Sequence, residues 1–532
     1  PTVSWLKRWG DVADRFPESV PLALTRENCI EQVRRTVREY FRGAAYTEEE
    51  RIRPLFPSTS ATFVDTRGEG GAVASISRLI RALGLETYDN EIKSAGPSLV
   101  SFRLVENEEY VVDRLRRLTF ADDPNFDEID EVMDVTADLR RLQSRYLELY
   151  EAALTQATHD RNFVKAVGLA EALKIRVISK GSPYVGFVLK SLQGFLWSTL
   201  SRHKSMRLIG KPVTQMDIQD SMGAKLSEDE IYLSGDYSAA TDNLAPWISE
   251  AIADEISSCV GLRSEERELF LRALTRHKFV DNKGVVQEQK WGQLMGSVVS
   301  FPVLCIANAA MCRWVQEVSF EKALQLNQCP LLVNGDDCLL RIPLSGLETW
   351  KRITSFVGLE PSVGKYFASR QFAQINSVNY VRVDPFEVIS DSGKSRMCSF
   401  LETPFINLGL LSGLKRSGEK VGVDAVAGNS ARDGTIGSRC RDLIRCAPEE
   451  LRERTLRVFI SHHYDILKSV TVPWYVPESL GGVGLPWVGQ HRPTELDRRV
   501  AARLRERPSD FPVGKIPGTV SWLVHKFIYE RL

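Results

Sequence analysis

Two adjacent carboxylates, Asp336 and Asp337, interrupt the apolar stretch Pro330-Leu331-Leu332-Val333-Asn334-Gly335-Asp336-Asp337-Cys338-Leu339-Leu340-Arg341-Ile342. Like charges side by side repel, and each is best left in water. Hydrophobic strands that present such a pair therefore call for a counter-charge. A divalent cation supplies one, because hard cations take oxygen ligands. The plainer reading is an exposed turn, since Asn, Gly and Asp are all turn residues. Asn334-Gly335 between apolar runs is also the strongest short-range hairpin signal. On this stretch alone both readings stand, and the rest of the chain must supply partners.

A third carboxylate comes from Ile231-Tyr232-Leu233-Ser234-Gly235-Asp236, which reads as a buried strand ending on an acid. Tyr237 to Asn243 then makes a tight connection, with Thr241, Asp242 and Asn243 available to cap a helix that has Pro246 in its first turn. Gly292 to Ser297 reads as a glycine-hinged loop feeding the long uncharged run Leu294 to Cys312. Gly296, Ser297, Ser300, Pro302 and Asn308 interrupt that run, so it predicts a buried helix and not a membrane span. Upstream, Arg161 to Lys211 contains ten Lys and Arg residues and a single acid, Glu171. Within it, Lys174-Ile175-Arg176-Val177-Ile178-Ser179-Lys180 alternates as a strand with one basic face, suited to phosphates. Gly358 to Lys365 is not a P-loop, because Tyr366 follows the Lys where Ser or Thr is required. Three carboxylates beside a basic wall are what in-line phosphoryl transfer with two cations ~3.5–4 Å apart requires.

The elements that must position these groups read as mixed α+β. The first part of the chain opens with an amphipathic helix, Asn28 to Arg42, with Ile30, Val33, Val37, Tyr40 and Phe41 on its apolar side and an Arg-rich exposed side. A small-residue loop (Pro57-Ser58-Thr59-Ser60-Ala61, then Gly68 to Gly71) and an acidic run from Ala121 to Asp138 follow. The C-terminal part from about Cys398 reads as mostly helical, with turn segments at Val472 to Pro477 and Gly481 to Pro486. The 532 residues carry zero formal net charge, 43% hydrophobic and 26% charged residues, so nucleic-acid contact must come from local asymmetry. Nine scattered Cys with no CxxC pair, and seven His without ligand spacing, argue against a disulfide framework or a zinc site and fit a reducing compartment. No secretory leader pattern opens the chain, which starts at Pro1, so a processed or an artificial start is expected.

The order Asp236-x5-Asp242, Gly296-x3-Ser300, Asn334-Gly335-Asp336-Asp337 and Lys365 resembles motifs A, B, C and D of viral RNA-dependent RNA polymerases. Ser234 to Asp242 and Met295 to Pro302 are most similar to the narnavirus, mitovirus and botourmiavirus (ourmia-like) group, and Lys174-x-Arg176-x3-Lys180 resembles its motif F. The resemblance implies a right-hand polymerase with fingers, an antiparallel palm with flanking helices, and a helical thumb. It divides the chain into an N-terminal extension with fingertips (1–150), fingers with motif F (151–229), palm motif A (230–258), a fingers insertion (259–290), palm motifs B to E (291–397) and a thumb with the C-terminal region (398–532).

The same resemblance implies roles. Asp236 and Asp336 are the expected metal ligands, assisted by Asp337, for two Mg²⁺ ions that Mn²⁺ can replace. Asp242 and Ser300 are expected to sense the ribose, Gly296 to hinge the motif B loop, and Lys174, Arg176 and Lys180 to hold triphosphate and RNA. Lys365 is expected to protonate leaving pyrophosphate, and Ile375 to Tyr380 occupies the place of motif E. One departure concerns sugar selection. Many relatives place Asn four residues after the motif B Ser or Thr, where this chain has Leu304; Asn308, one helical turn further on, is the candidate substitute.

The implied reaction is template-directed transfer of nucleotides from NTPs to an RNA 3′ hydroxyl, with pyrophosphate released. The implied partners are RNA template and product and a viral genomic RNA held as a ribonucleoprotein. The expected location is the host cytoplasm, with the mitochondrion as alternative. A protein that only holds genomic RNA is the rival from another class. An isolated metal nuclease is a second rival, disfavoured by the motif B and basic stretches.

Overall fold

The computed structural model describes residues 23–51, 60–83, 146–171, 174–223, 225–281, 283–389, 395–412, 429–469, 473–477 and 482–506. The acidic run at 121–138, residues 57–59 of the small-residue loop and Gly481 lie outside them. Two compact units are formed: Pro1–Val167 with Ile178–Glu402, and Gly168–Val177 with Thr403–Leu532.

Elements of the first unit begin with α1 (Arg26–Tyr40), followed by β1 (Phe163–Glu171) and β2 (Lys174–Lys180), parts of which belong to the second unit. Next come α2 (Pro183–Leu200), β3 (Glu230–Gly235), α3 (Pro246–Val260), α4 (Ser264–Thr275), β4 (Lys278–Val280) and β5 (Val286–Glu288). The long helix α5 (Ser300–Ser319) leads to β6 (Leu331–Asn334), β7 (Asp337–Pro343) and α6 (Gly346–Phe356). The short strands β8 (Phe367–Ser369) and β9 (Phe372–Ile375) and the longer β10 (Val378–Ile389) and β11 (Ser395–Glu402) complete the unit.

The central sheet has the order β6-β7-β3-β8, and every neighbouring pair is antiparallel. Strand side chains alternate between faces, and β3 is buried on both. Ile231 and Leu233 enter the main core, which also holds Val303, Ile306 and Ala310 of α5. Tyr232 enters a second core with Leu332, Leu339, Tyr380 and Phe400, beneath the antiparallel sheet β11-β10-β9. A strand covered on both faces needs continuous apolar residues, which is why Ile231-Tyr232-Leu233 shows no polar alternation. The expected α+β class with an antiparallel sheet and flanking helices is present.

Helix α5 is buried all round, from Pro302 to Glu317. A helix without a polar face has to lie inside a protein or a membrane. Among the described residues no helix is long and apolar enough to cross a membrane. The uncharged run is the core helix that its interrupting residues predicted.

Two local expectations change. The Arg side of α1 is not simply exposed: Arg35 pairs with the fully buried Glu317, while Arg34 and Arg38 pair with Glu255 of α3. Gln32 and Thr36 are also fully buried, so α1 packs through more than its apolar stripe. The helix after motif A is capped by none of Thr241, Asp242 and Asn243. Those residues form their own turn, Ala240–Asn243, and α3 begins at Pro246 after Ala245, which makes no side-chain cap bond. A proline in the first helical position needs no N–H partner.

In the second unit, α7 (Asn429–Cys446) and α8 (Arg452–His462) pack around Cys440, Leu443, Leu456 and Phe459. The turn segments at Pro473–Pro477 and Gly482–Pro486 pair with each other, through Val483 N–H to Pro473 O (3.0 Å) and Leu485 N–H to Trp474 O (2.8 Å). A Cβ on Gly482 would lie 2.1 Å from Val476 O, so the approach requires glycine. Extended and turn segments are what their sequence suggested.

Candidate active site

Strand register gathers the carboxylates. Gly235 pairs with Cys338 in the antiparallel β3–β7 ladder, so Asp236, one residue beyond, leaves its strand opposite Asp337. On the other side of β7, Asn334 pairs with Asp337, leaving Gly335-Asp336 as the two-residue loop. This corrects the expected Asn334-Gly335 turn by one residue. Gly335 has φ +69° and Asp336 is not in the left-handed region, the φ signs of a II′ turn, not a I′ turn. The shift places Asp336 at the tip, where it is exposed, and Asp337 half-buried at the start of β7. Gly235 is itself demanded by packing, since a Cβ would meet Cys338 Sγ at 2.6 Å and the Trp350 ring at 2.8 Å.

The carboxyl of Asp337 is pushed up to about 7, first by burial and then by the charges of Asp336 and Asp236. The Asn376 backbone N–H and the Lys365 ammonium pull it back down. Lys365 Nζ lies 3.8 Å from Asp236 Oδ2. The chain brings it there by bonding Ser362 N–H to Asp236 O (2.8 Å) and Ser238 N–H to Glu360 O (2.8 Å). Among the described residues no three Asp, Glu, His or Cys side chains are arranged as a ready cation cage. The donor set nevertheless fits a hard divalent cation. It is all oxygen, and one acid is held towards neutrality by burial and by two like charges, a shift that positive charge nearby would reverse.

The 292–297 loop is fastened to the turn after Asp236. Gln293, buried, donates its N–H to Thr241 O (2.8 Å) and its Nε2 to Ser300 O (2.9 Å), so one residue ties the Asp242 turn to the start of α5. Gly292 sits where a Cβ would be 2.5 Å from Asp242 O. Asp242 itself is exposed, while the Ser300 hydroxyl is buried and makes no hydrogen bond within the protein. Gly296 faces the end of β2, where a Cβ would lie 1.9 Å from Ser179 O, so no other residue fits there without movement.

Gly296, Ser297, Ser179 and Lys180 help line a cavity of about 230 Å³, together with Ser60 and His277. Lys174 and Arg176 lie on β2, and their side chains fall outside those described.

Asn308 is the clearest correction among the site residues. It is fully buried in α5 and has no surface with which to meet a sugar. Its Nδ2 donates to Gly335 O (3.1 Å) and Asp336 O (3.2 Å), and its Oδ1 accepts from Tyr237 Oη (3.1 Å). The interior of the hairpin turn, and not a ribose, is its environment. One contributor, Gln293, escaped the sequence reading, and another, Asn376, was expected only as part of the 375–380 stretch. Gln293 looked like an ordinary polar loop residue. Asn376 lies in the β9–β10 turn with Ser377, both left-handed (φ +53° and +60°), as a I′ turn requires. Its Oδ1 accepts from Asn334 Nδ2 at 3.0 Å, and its N–H reaches Asp337. An Asn-Ser pair between Ile375 and Val378 is a signal that could have found it.

No family model matches the chain. It is 35% identical over 359 residues to the RNA-dependent RNA polymerase of Ourmia melon virus (isolate Melon/Iran/VE9), a match spanning 63% of this chain and 40% of that protein. Two solved structures of the RNA-dependent RNA polymerase of a human picorbirnavirus, one an insertion-loop deletion mutant, align with TM-scores of 0.46 and 0.45 at 16% and 15% identity. Each alignment covers 70% of this chain and 64% of that chain. Over those 359 residues the chain is similar to a viral RNA-dependent RNA polymerase, a match that spans two fifths of that protein's own length.

Proposed function

We propose that this chain is an RNA-directed RNA polymerase that copies a viral RNA genome by adding nucleotides from NTPs to an RNA 3′ hydroxyl. One observation carries the reading: strand register and the Gly335-Asp336 loop bring Asp236, Asp336 and Asp337 to one end of a buried antiparallel sheet. The sequence relationship to a viral polymerase supports it.

Asp236, Asp336 and Asp337 would hold two Mg²⁺ ions, or Mn²⁺, which when bound activate the attacking hydroxyl and neutralise the leaving pyrophosphate. Lys365, whose Nζ lies 3.8 Å from Asp236 Oδ2, would give a proton to that pyrophosphate. Asp242 and Ser300, tied together through Gln293, are the ribose-sensing pair in this reading. Gly296 is the loop position that must stay small for the loop to close on β2. Lys174, Arg176 and Lys180 would hold triphosphate and RNA in this reading, with RNA template, product and the genomic ribonucleoprotein as partners. The finger, palm and thumb boundaries given above, and a location in the host cytoplasm or mitochondrion, belong to the same proposal.

The test is incorporation of labelled NTP on an RNA template with Mg²⁺, run beside filter-binding of the same RNA. Wild-type protein should extend RNA, and Asp336→Ala should bind RNA while extending none. Equal extension by both proteins would remove the carboxylates from the reaction. Binding without extension by the wild type would favour the RNA-holding alternative.

A further inference from the structure

Helix α5 grips the β6–β7 hairpin with two neutral amides. At one end Asn308 Nδ2 bonds the Gly335 and Asp336 carbonyls at 3.1 and 3.2 Å. At the other, Gln316 Nε2 bonds Pro330 O (2.9 Å), just before β6, and Arg341 O (3.0 Å), near the end of β7. Eight residues separate the amides, about 12 Å along a helix. Both are fully buried. Only Asn308 reaches the carboxylate end.

Asn308 also reaches the other strand. Its Oδ1 accepts from the Tyr237 hydroxyl at 3.1 Å, and Tyr237 directly follows Asp236. The same hydroxyl accepts from Trp350 Nε1 at 3.1 Å. Gly335 N–H is taken by Cys305 Sγ at 3.1 Å, one turn before Asn308 on the helix. One carboxamide therefore links the turn bearing Asp336 to the residue beside Asp236. Neither a carboxylate nor an apolar side chain reproduces this: an Asp would turn negative oxygens on carbonyl oxygens, and a Leu would leave buried carbonyls unpaired.

We propose that Asn308 is a positioning residue for nucleotidyl transfer, fixing the Gly335–Asp337 turn against the Asp236–Tyr237 strand end so that the three carboxylates share one geometry. The inference rests on the polymerase reading and adds to it a role that spacing alone would have assigned to sugar selection.

Gln316→Leu is the internal control, and Tyr237→Phe removes the other end of the link while leaving the turn carbonyls bonded. The measurements are thermal unfolding, single-turnover incorporation normalised to burst amplitude, and the Mg²⁺ concentration for half-maximal rate. Asn308→Leu and Gln316→Leu should lower the melting temperature alike. Asn308→Leu alone should also slow incorporation per active site by about ten- to hundredfold, the scale of a misplaced reacting group. It should raise the half-saturating Mg²⁺ and leave KM for NTP within about twofold, since ground-state NTP binding is not what the amide controls. Tyr237→Phe should slow incorporation in the same direction, less severely.

Equal per-site rates for Asn308→Leu and Gln316→Leu would reduce Asn308 to a structural amide. If Asn308→Leu does not fold, an unchanged rate and Mg²⁺ requirement in Tyr237→Phe overturns the inference instead. A wild-type chain that incorporates nothing removes the reaction itself, and the failure is then of the polymerase reading and not of the amide's role alone.

Discussion

The two halves of α5 are equally buried, and each holds a neutral amide, Asn308 or Gln316, but only the second also holds charged groups. Towards its start, beside the carboxylates, the helix carries Asn308, which is neutral and makes hydrogen bonds only. Towards its end it carries Arg313 and Glu317, in an ionic network with Arg35 and Glu39 of α1. Charge–charge energies fall only inversely with distance and are strengthened away from water. A buried Arg beside Asp236 and Asp337 would compete with any bound cation, and a buried Glu would add to their mutual repulsion. An amide ties backbone carbonyls without doing so. Far from the carboxylates no such constraint applies, and ions are used to hold α1 on the core.

The largest expected effect breaks the ionic side of this comparison. Arg313→Met leaves Glu317, wholly buried and with its carboxyl already held above the usual range by burial, short of a partner. The loss should be about 3 kcal/mol in denaturant unfolding, the low end of the cost of breaking a buried pair, because Arg35 keeps its bond to Glu317. A loss below about 1 kcal/mol, as for a surface pair, would erase the contrast.

A neutral buried group gives a different signature, and His277 supplies it. Its imidazole bonds Gln289 Oε1 at 2.8 Å, and burial lowers it to about 4. Folded His277 stays neutral where the unfolded residue, near 6.5, has taken a proton. Its contribution is therefore complete above about pH 6.5, falls as pH drops towards 4 and changes no further below, by about 3 kcal/mol at most. His277→Gln should flatten that part of the stability–pH curve. An unchanged slope would mean that other groups carry it.

The smallest effect concerns Lys365. Its pair with Asp236 is 3.8 Å long and its side chain is 67% exposed, so Lys365→Ala should change unfolding free energy by less than about 1 kcal/mol. Any loss of incorporation rate in that variant then reports on chemistry. A large loss of stability would place Lys365 among the structural ions instead.

Much of the site was legible because its residues break local rules. Asp236 ends an apolar strand, and two acids sit between apolar strands at Asp336-Asp337; neither is explained by folding alone. What was not legible depends on which way a side chain faces. Asn308 was visible only as an amide at a helical spacing, and nothing local says that it turns inward to the Gly335 and Asp336 carbonyls. The turn slipped by one residue because strand pairing, set by the packing of Leu331 and Leu340, overrode the Asn-Gly preference. The Arg residues of α1 looked solvated because their partners, Glu255 and Glu317, lie more than 200 residues away.

The central claim is that this carboxylate end copies a template. The direct measurement supplies purified protein with homopolymeric RNA templates, one labelled NTP at a time, and Mg²⁺. The account predicts incorporation of only the complementary nucleotide on each template, abolished by Asp336→Ala. Incorporation that ignores the template, or persists without Asp336, would contradict it.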